Sequence, residues 1–313
     1  MGEPPTTCSF EELFQSKLFT FYVGREKKAF VVHSKAIAAT SWHFHALVNN
    51  GMAQSQEGSV EYPDMDPGDF ARYVEYAYRY DYTVPQWALE NKVSMDVSDE
   101  PVADESTTGP VAEEPPPPPP GDLEDESDDQ WDYLAAIRTV SVFGHSYGAK
   151  KKKWKKSVSL RKRFNAEEYL TSDEPKTKSF ADCIPKENTE HEQDFTPVFL
   201  AHARLYTFAC MRLIDPLKRL ALHKLHQTLL KFKLYDRRVG DVVELARYAY
   251  DHGEDRKSNG TIEDLRKLVV EYIACEVSII GKHEAFVPLL QEGGEFVVDF
   301  WGIIAKENLG LYA

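Results

Sequence analysis

The 313-residue sequence contains few cysteines, and none of them is arranged as in a typical metal site. Cys8, Cys183, Cys210 and Cys275 lie far apart, and no Cys-x-x-Cys pair occurs. Structural zinc ligands usually come in such pairs, so the sequence predicts no metal site. It also predicts reduced thiols, as in an intracellular protein.

Long apolar runs are also lacking. No run approaches the roughly 20 apolar residues that span a bilayer, and no N-terminal apolar stretch resembles a signal peptide. We therefore expect a protein of the nucleus or the cytoplasm that has no membrane contact. A Gly-rich phosphate loop and a paired metal motif are absent as well, so we expect neither a cofactor nor enzymatic activity.

Lysine and arginine are absent from Asp96 to Asp132, in a chain whose formal net charge is −14. Carboxylates, small polar residues and the six consecutive prolines Pro115 to Pro120 dominate this segment. Such a composition buries too little apolar surface to offset chain entropy, so the segment is predicted to be disordered. The prolines favour a semi-rigid polyproline II spacer over a ligand for a proline-binding groove.

A basic block reverses the sign of the charge after the acidic segment. Its lysines are Lys150, Lys151, Lys152, Lys153, Lys155 and Lys156. The block fits a nuclear localisation signal, a nucleic-acid contact with Trp154 and Phe164 as stacking groups, or simple pairing with the acidic segment. Nucleic-acid binding is disfavoured, because one short patch supplies no groove-reading element. Pairing would be partly screened at physiological salt.

One short match points to a hydrolase. Gly144-His-Ser-Tyr-Gly148 has the Gly-x-Ser-x-Gly pattern of a nucleophile elbow, with Ser146 as the candidate nucleophile. The elbow requires a helix that packs behind the serine and a large parallel sheet below it. Here the lysine block follows directly, and the downstream pattern is almost wholly helical. A serine hydrolase is therefore a remote alternative.

The N-terminal part has the pattern of a compact α/β unit. Phe19 to Val23 and Ala29 to Val32 are β-prone runs joined by a polar turn, which predicts a hairpin. A helix is predicted from Ser34 to about Val48, and a strand from Ser59 to Tyr62. Asp66-Pro67 is typical of an N-cap followed by proline in the first turn, and a further helix should begin there.

This order, with Ser41-x-x-Phe44 and Asp66-Pro-x-x-Phe70, resembles the BTB/POZ domains abundant in filamentous fungi. The resemblance implies an α+β fold, with a small mixed sheet flanked by helices, and a role as a non-enzymatic protein-protein interaction module. His33, at the junction of a strand and a helix, is interpreted as a structural histidine.

Amphipathic helices dominate from Pro197 onward. The first two resemble the helical pair that completes a BTB fold. The predicted domains are then a first BTB part at 9–90, a disordered insertion at 91–196, closing BTB helices at 197–232 and a helical extension at 233–313. A long insertion is tolerated because the cost of loop closure grows only logarithmically. The extension helices are predicted to begin near Arg238, Thr261, Lys282 and Gly294.

The resemblance also implies partners. Ser9-Phe-Glu-Glu12 has the pattern of a capping box, which would start the N-terminal helix through which BTB domains form homodimers. BTB proteins that bind cullin-3 carry a hydrophobic-x-Glu motif, and the matching place here is Met52-Ala-Gln54. Glutamine keeps hydrogen-bonding capacity but loses the charge. Phe44, Leu47 and Met52 would supply an apolar contact; alternatively, Phe44 and Leu47 belong to the core and Met52 to a loop.

Two function classes therefore remain. The first is a self-associating BTB adaptor, including a substrate adaptor of a cullin-3 ubiquitin ligase. The second is a nuclear or chromatin-associated scaffold that recruits partners through its charged insertion. His223 and His226 have the spacing of two metal ligands on one helical face, but no third ligand is evident, and we interpret them as part of a solvated basic face.

Overall fold

The computed structural model describes residues 9–49, 57–89, 159–171, 181–257 and 259–307. Several sequence predictions lie outside these residues. They concern the acidic segment, the proline run, Ser146, the lysine block, Cys8, Met52 and Gln54.

A three-stranded mixed sheet forms the N-terminal core. Strand β1 (Leu18–Val23) lies in the centre, antiparallel to β2 (Lys28–His33) and parallel to β3 (Ser59–Tyr62). Alternate side chains of a strand point to opposite sides, and the face of the sheet that includes Phe21 is buried. The predicted hairpin and return strand are confirmed. At the hairpin turn Gly24 has a φ of +76°, and a Cβ there would lie 3.1 Å from the Pro67 ring.

Short helices flank the sheet. Helix α1 (Phe10–Phe14) begins with the predicted capping box of Ser9 and Glu12. The helix predicted from Ser34 is divided into α2 (Ser34–Ala38) and α3 (Trp42–Asn49). The hydroxyl of Thr40 donates to the Ile37 carbonyl at 2.7 Å, which ends the first helix, and Ser41 Oγ accepts the Phe44 N–H at 3.3 Å, which starts the second.

Helix α4 (Pro67–Arg79) covers the buried face of the sheet, where Phe70 packs 4.9 Å from Phe21 between ring centres. Its N-cap is Asp66, as predicted, and the carboxylate accepts the backbone N–H groups of Gly68 and Asp69 at 2.8 and 3.1 Å.

Two long helices complete this core. Helix α6 (Thr196–Met211) and helix α7 (Asp215–Lys231) pack against each other, and α6 also contacts α4. The three-residue turn between them brings Leu213 to a φ of +55°. Ring contacts such as that of Phe208 with Tyr73, at 5.0 Å between centres, join α6 to the N-terminal unit.

Parts of the chain between 159 and 196 are ordered, so the prediction of disorder over 91–196 is wrong there. Helix α5 (Leu160–Asn165), a 3₁₀ turn at Ala181–Cys183 and strand β5 (Gln193–Asp194), which pairs with β4 (Ala88–Leu89), occupy this range. The physical reason is that Phe164, Cys183 and Phe195 are buried, and burying their side chains stabilises the folded segments. The average composition of 91–196 is dominated by charged and polar residues, so it does not reveal these three.

The C-terminal part is helical, as predicted. Over residues 236–257 and 259–307 it contains a 3₁₀ turn at Asp236–Arg238 and five helices: α8 (Val239–His252), α9 (Asp264–Cys275), α10 (Val277–Ile280), α11 (Phe286–Glu292) and α12 (Gly294–Glu307). Its buried side chains are continuous with the N-terminal core. Within the described ranges, no helix is long and apolar enough to cross a membrane.

Candidate interaction surfaces

Helix α1 presents two aromatic rings to solvent. Phe10 and Phe14 are 69 % and 53 % exposed, and their ring centres lie 4.7 Å apart. Phe14 also lies 5.0 Å from the His33 ring, while Leu13 anchors the helix in the interior. Scattered exposed apolar residues are common, but these two phenylalanines lie together and form one apolar patch on a short helix.

A second apolar surface lies where α6 turns into α7. Met211 and Leu213 are both 69 % exposed. Met211 is the last residue of α6 and Leu213 lies in the turn that follows, beyond the elements that cover the middle of the helix. Between them, Arg212 lies 4.7 Å from the Tyr62 ring centre and donates to His43 Nε2 at 3.1 Å.

A cleft of about 650 Å³ lies beside this turn, between β3, α3, α4, α6 and α8. It contains the buried carboxyl of Asp69, whose pKa burial raises to about 6, although Arg72 and Arg204 lie 2.9 and 3.7 Å from its oxygens. Its far wall includes the stacked rings of Tyr248 and His252, 4.5 Å apart. Burial and the Arg212 charge lower the pKa of His43 at the near end.

Residues 10–94 match the family model of the BTB/POZ domain. The chain contains a BTB/POZ domain. The match covers less than a third of the sequence and includes α1 to β4. No curated protein and no solved structure matches the chain. BTB/POZ domains are protein-protein interaction modules, so the chain carries such a module.

The BTB domain holds the predicted cullin contact residues in different environments. Phe44 is completely buried and stacks on Tyr73 at 5.0 Å between ring centres. This agrees with the alternative interpretation of Phe44 as a core residue. Leu47 is half-buried and lines the cleft. Met52 and Gln54 lie outside the described residues. Met211 and Leu213 were not identified as surface residues from the sequence. Their position, at the end of a helix and in the tight turn that follows it, is the sequence feature that could have indicated exposure.

The structural interpretation of His33 fits its contacts. Its backbone N–H donates to the Tyr78 hydroxyl at 2.9 Å, and its Nδ1 lies at the same distance from that oxygen. The two bonds connect the end of β2 to α4, the helix that packs on the BTB sheet.

The interpretation of His223 and His226 as part of a solvated face is wrong for His226 and for the neighbouring Lys224. His226 is completely buried and donates from Nε2 to the Phe164 carbonyl at 2.8 Å, and burial lowers its pKa. Lys224 is also buried, because the segments around residues 82 and 183 cover this side of α7. Across the described part of the chain, no group of three or more His, Cys, Asp or Glu side chains could hold a metal ion.

Proposed function

We propose that this protein is a self-associating BTB adaptor or scaffold that brings a second protein to a larger assembly. The observation that carries the proposal is the exposure of Phe10 and Phe14 on α1, the element through which the BTB resemblance implies homodimers. Burying both rings between two copies would remove apolar area from water, which is the main favourable term in association. The Ser9 capping box and the buried Leu13 hold the helix in place for this contact.

The test is the mass of the full chain in solution, measured by light scattering. We expect a dimer for the wild type and a monomer for the double variant Phe10→Ser, Phe14→Ser. Leu89→Ser, which removes another exposed apolar side chain, is the matched control and should remain a dimer. A monomeric wild type, or a double variant that remains dimeric, would contradict self-association through α1.

We further propose that the adaptor contacts cullin-3 with the surface at the ends of α3 and α6. Met211 and Leu213 supply exposed apolar side chains, and Leu47 continues the surface into the cleft. Residues Met52 and Gln54, which correspond to the cullin motif in the BTB resemblance, follow α3 in sequence. Glutamine at this place removes an ion pair, so apolar contacts would have to supply most of the affinity.

This proposal is tested by affinity purification of the full chain from cells. We expect cullin-3 to be recovered with the wild type and lost with both Met211→Ser, Leu213→Ser and Met52→Ala, Gln54→Ala. Trp301→Ser, a change of an exposed apolar residue on α12, is the control and should retain cullin-3. Recovery with neither the wild type nor the control would remove the cullin proposal and leave the self-association proposal intact.

The domain boundaries are part of the same proposal. We take 9–90 and 197–232 as one BTB fold that is interrupted by an insertion at 91–196, followed by the extension at 233–313. Packing of α6 against α4 supports it, because residues on both sides of the insertion contribute to one core. Co-expression of 1–92 with 158–313 should therefore yield a folded complex, whereas independent domains would not associate.

A nuclear or chromatin-associated scaffold is the second candidate, favoured by the lysine block at 150–156. Replacement of Lys150, Lys151, Lys152 and Lys153 by serine should move a fluorescent fusion from the nucleus to the cytoplasm. A wild-type fusion found in the cytoplasm would remove this candidate and favour the adaptor.

A further inference from the structure

Strand β2 lies at one edge of the BTB sheet, whose strand order is β2-β1-β3. In an antiparallel ladder, the backbone groups of alternate residues point away from the neighbouring strand. The Ser34 N–H donates to the Lys17 carbonyl at 2.7 Å, which identifies these two residues as a hydrogen-bonded pair of the ladder. Counted from that pair along the register, the backbone groups of Ala29, Val31 and His33 point outward from the sheet.

The open part of this edge is short. At one end, the outward N–H of His33 donates to the Tyr78 hydroxyl at 2.9 Å. At the other end, Lys27 leaves the extended conformation, with a φ of +51°. Among the described residues, no group bonds to the outward N–H and C=O groups of Ala29 and Val31, and both residues are exposed. The edge therefore offers two donors and two acceptors to an extended strand.

We propose that the β2 strands of two copies pair antiparallel along this edge, within the dimer that uses helix α1. The inference rests on the proposed self-association and specifies its geometry. A twofold axis at Phe30 places Ala29 of each copy opposite Val31 of the other. Each such pair exchanges two hydrogen bonds, so four bonds form and two three-stranded sheets become one sheet of six strands.

The free backbone groups select this register. Moving the axis to Ala29 would bring the turn residue Lys27 into the ladder. Moving it to Val31 would require the N–H of His33, which is already bonded. With the axis at Phe30, the two open residues of each copy pair with those of the other. The two Phe30 rings then lie opposite each other, and cross-strand aromatic pairs stabilise a sheet.

The edge lacks the features that keep a strand from pairing with its own copy. Those features include charged side chains, prolines and bulges. The open part consists of Ala29, Phe30 and Val31, and its register with β1 is regular. Lys28 begins the strand, but its ammonium group lies over the Phe30 ring, 5.5 Å from the ring centre. Every copy presents the same edge, so a second copy supplies the matching strand at equal concentration.

The edge is also continuous with the surface that we assign to self-association. His33, at the end of β2, lies 5.0 Å from Phe14 between ring centres. Leu18 is opposite His33 in the ladder, and Leu18 and Val31 are 59 % and 58 % exposed. These side chains join the α1 patch to the open edge. Four hydrogen bonds alone offset too little of the entropy lost in association, so edge pairing and burial of the α1 rings are both required.

Hydrogen exchange of the full 313-residue chain, resolved to single amides, tests the pairing. We expect the Ala29 and Val31 amides to exchange at least about tenfold more slowly in the wild-type dimer than in the Phe10→Ser, Phe14→Ser variant, since they have no acceptor within one copy. The Phe30 amide bonds to β1 within one copy. It is the matched control, and it should be protected similarly in both proteins if both are folded.

Two charge variants test the register. In Ala29→Lys, Val31→Lys each new lysine faces a lysine of the other copy. We expect the dissociation constant of the dimer, from analytical ultracentrifugation, to rise at least about tenfold. In Ala29→Lys, Val31→Glu each lysine faces a glutamate, so the dimer should persist. Equal dissociation constants for the two variants would overturn pairing about Phe30.

The failure of this inference can be distinguished from the failure of self-association. A wild-type dimer that is lost in Phe10→Ser, Phe14→Ser, but whose Ala29 and Val31 amides exchange as fast as in the monomer, would overturn the edge pairing and leave self-association through α1 in place. A monomeric wild type would overturn both. Slow exchange in the dimer, together with a dimer lost in the lysine pair and kept in the lysine–glutamate pair, would support both.

Discussion

Lys224 and Asp81 form a buried ion pair, with Nζ and Oδ1 2.5 Å apart, at a position where a segment that precedes the insertion meets a segment near its end. The same ammonium group donates to the Tyr82 carbonyl at 2.6 Å and to the Cys183 carbonyl at 2.8 Å. All three of its N–H donors are therefore used. One side chain of α7 thus joins a residue that precedes the insertion to a residue near its end.

Loss of Lys224 should destabilise the fold strongly. In Lys224→Met the Asp81 carboxylate remains buried without its counter-charge, and two buried carbonyls lose a donor. We expect the free energy of unfolding, from urea denaturation, to fall by about 3 to 5 kcal/mol, which is typical when one partner of a buried pair is removed.

Two variants separate the pair from the helix position. Lys231→Met removes an exposed lysine from the same helix and should change stability by less than about 0.5 kcal/mol. Asp81→Asn in the Lys224→Met background should restore part of the lost stability, since it removes the buried charge. A double variant no more stable than Lys224→Met would show that the charge pair is not the cause.

Phe44→Ala should also be strongly destabilising. The side chain is fully buried and stacked on Tyr73, so its removal leaves a cavity in the aromatic core. We expect a loss of about 3 to 5 kcal/mol in the free energy of unfolding. Leu47→Ala, at the edge of the cleft, should cost about 1 kcal/mol because Leu47 is only half-buried. Equal losses at the two positions would contradict this assignment of core and surface.

The local features of the fold could be predicted from the sequence because they depend on neighbouring residues. Strand β3 has the predicted bounds, and the caps at Ser9 and Asp66 form as their spacing indicates. Turn chemistry and periodicity act over a few residues, and a sequence window contains all the groups involved.

The parts that could not be predicted depend on contacts between distant segments. Helical periodicity places Lys224 and His226 on faces of α7, but it does not say that residues 82, 164 and 183 cover them. The exposure of Met211 likewise depends on where the covering elements end. Composition over 91–196 describes an average, and the buried Phe164 and Phe195 are local exceptions to it.

Leu213→Gly should separate stability from partner binding. Leu213 occupies the left-handed region at φ +55°, where the Ile214 N–H bonds to the Ala209 carbonyl at 2.9 Å, as in a Schellman cap. The left-handed conformation costs a leucine about 1 to 2 kcal/mol, and glycine avoids this strain. Glycine is also more flexible in the unfolded chain, so its greater loss of entropy on folding offsets about 0.5 to 1 kcal/mol of the stabilisation. We expect a net gain of about 0.5 to 1 kcal/mol in urea denaturation.

The same variant should recover less cullin-3, or less of whichever protein binds the α6–α7 turn. Higher stability combined with weaker recovery would show that the exposed leucine is used for binding. Asp215→Ala, a neighbouring change that keeps the Leu213 side chain, is the control for recovery. If Leu213→Gly lowered stability, the strain assigned to this turn would be wrong.

His202 should make the protein sensitive to mild acid. Burial, with a smaller effect of the Lys224 charge, lowers its pKa from 6.5 to about 3, and its Nδ1 lies 2.8 Å from the Tyr82 hydroxyl. Between about pH 6.5 and 3, His202 is therefore protonated in the unfolded chain but neutral in the folded protein. The stability linked to His202 is complete above pH 6.5 and is lost as the pH falls, by at most about 1.4 kcal/mol per pH unit.

Urea denaturation of the wild type and of His202→Gln at pH 7.5, 6.5 and 5 measures this effect. Asp69 and Asp241, whose pKa burial raises to about 6, act in the opposite direction, because the folded protein binds their protons more tightly. They are present in both proteins, so the difference between the two proteins isolates His202.

We expect the variant to be less stable at pH 7.5, since the bond to Tyr82 changes, but to lose about 1 to 2 kcal/mol less than the wild type between pH 6.5 and 5. His191→Gln, at an exposed position, controls for the loss of an imidazole. Parallel pH profiles for the wild type and His202→Gln would show that this histidine does not set the acid sensitivity.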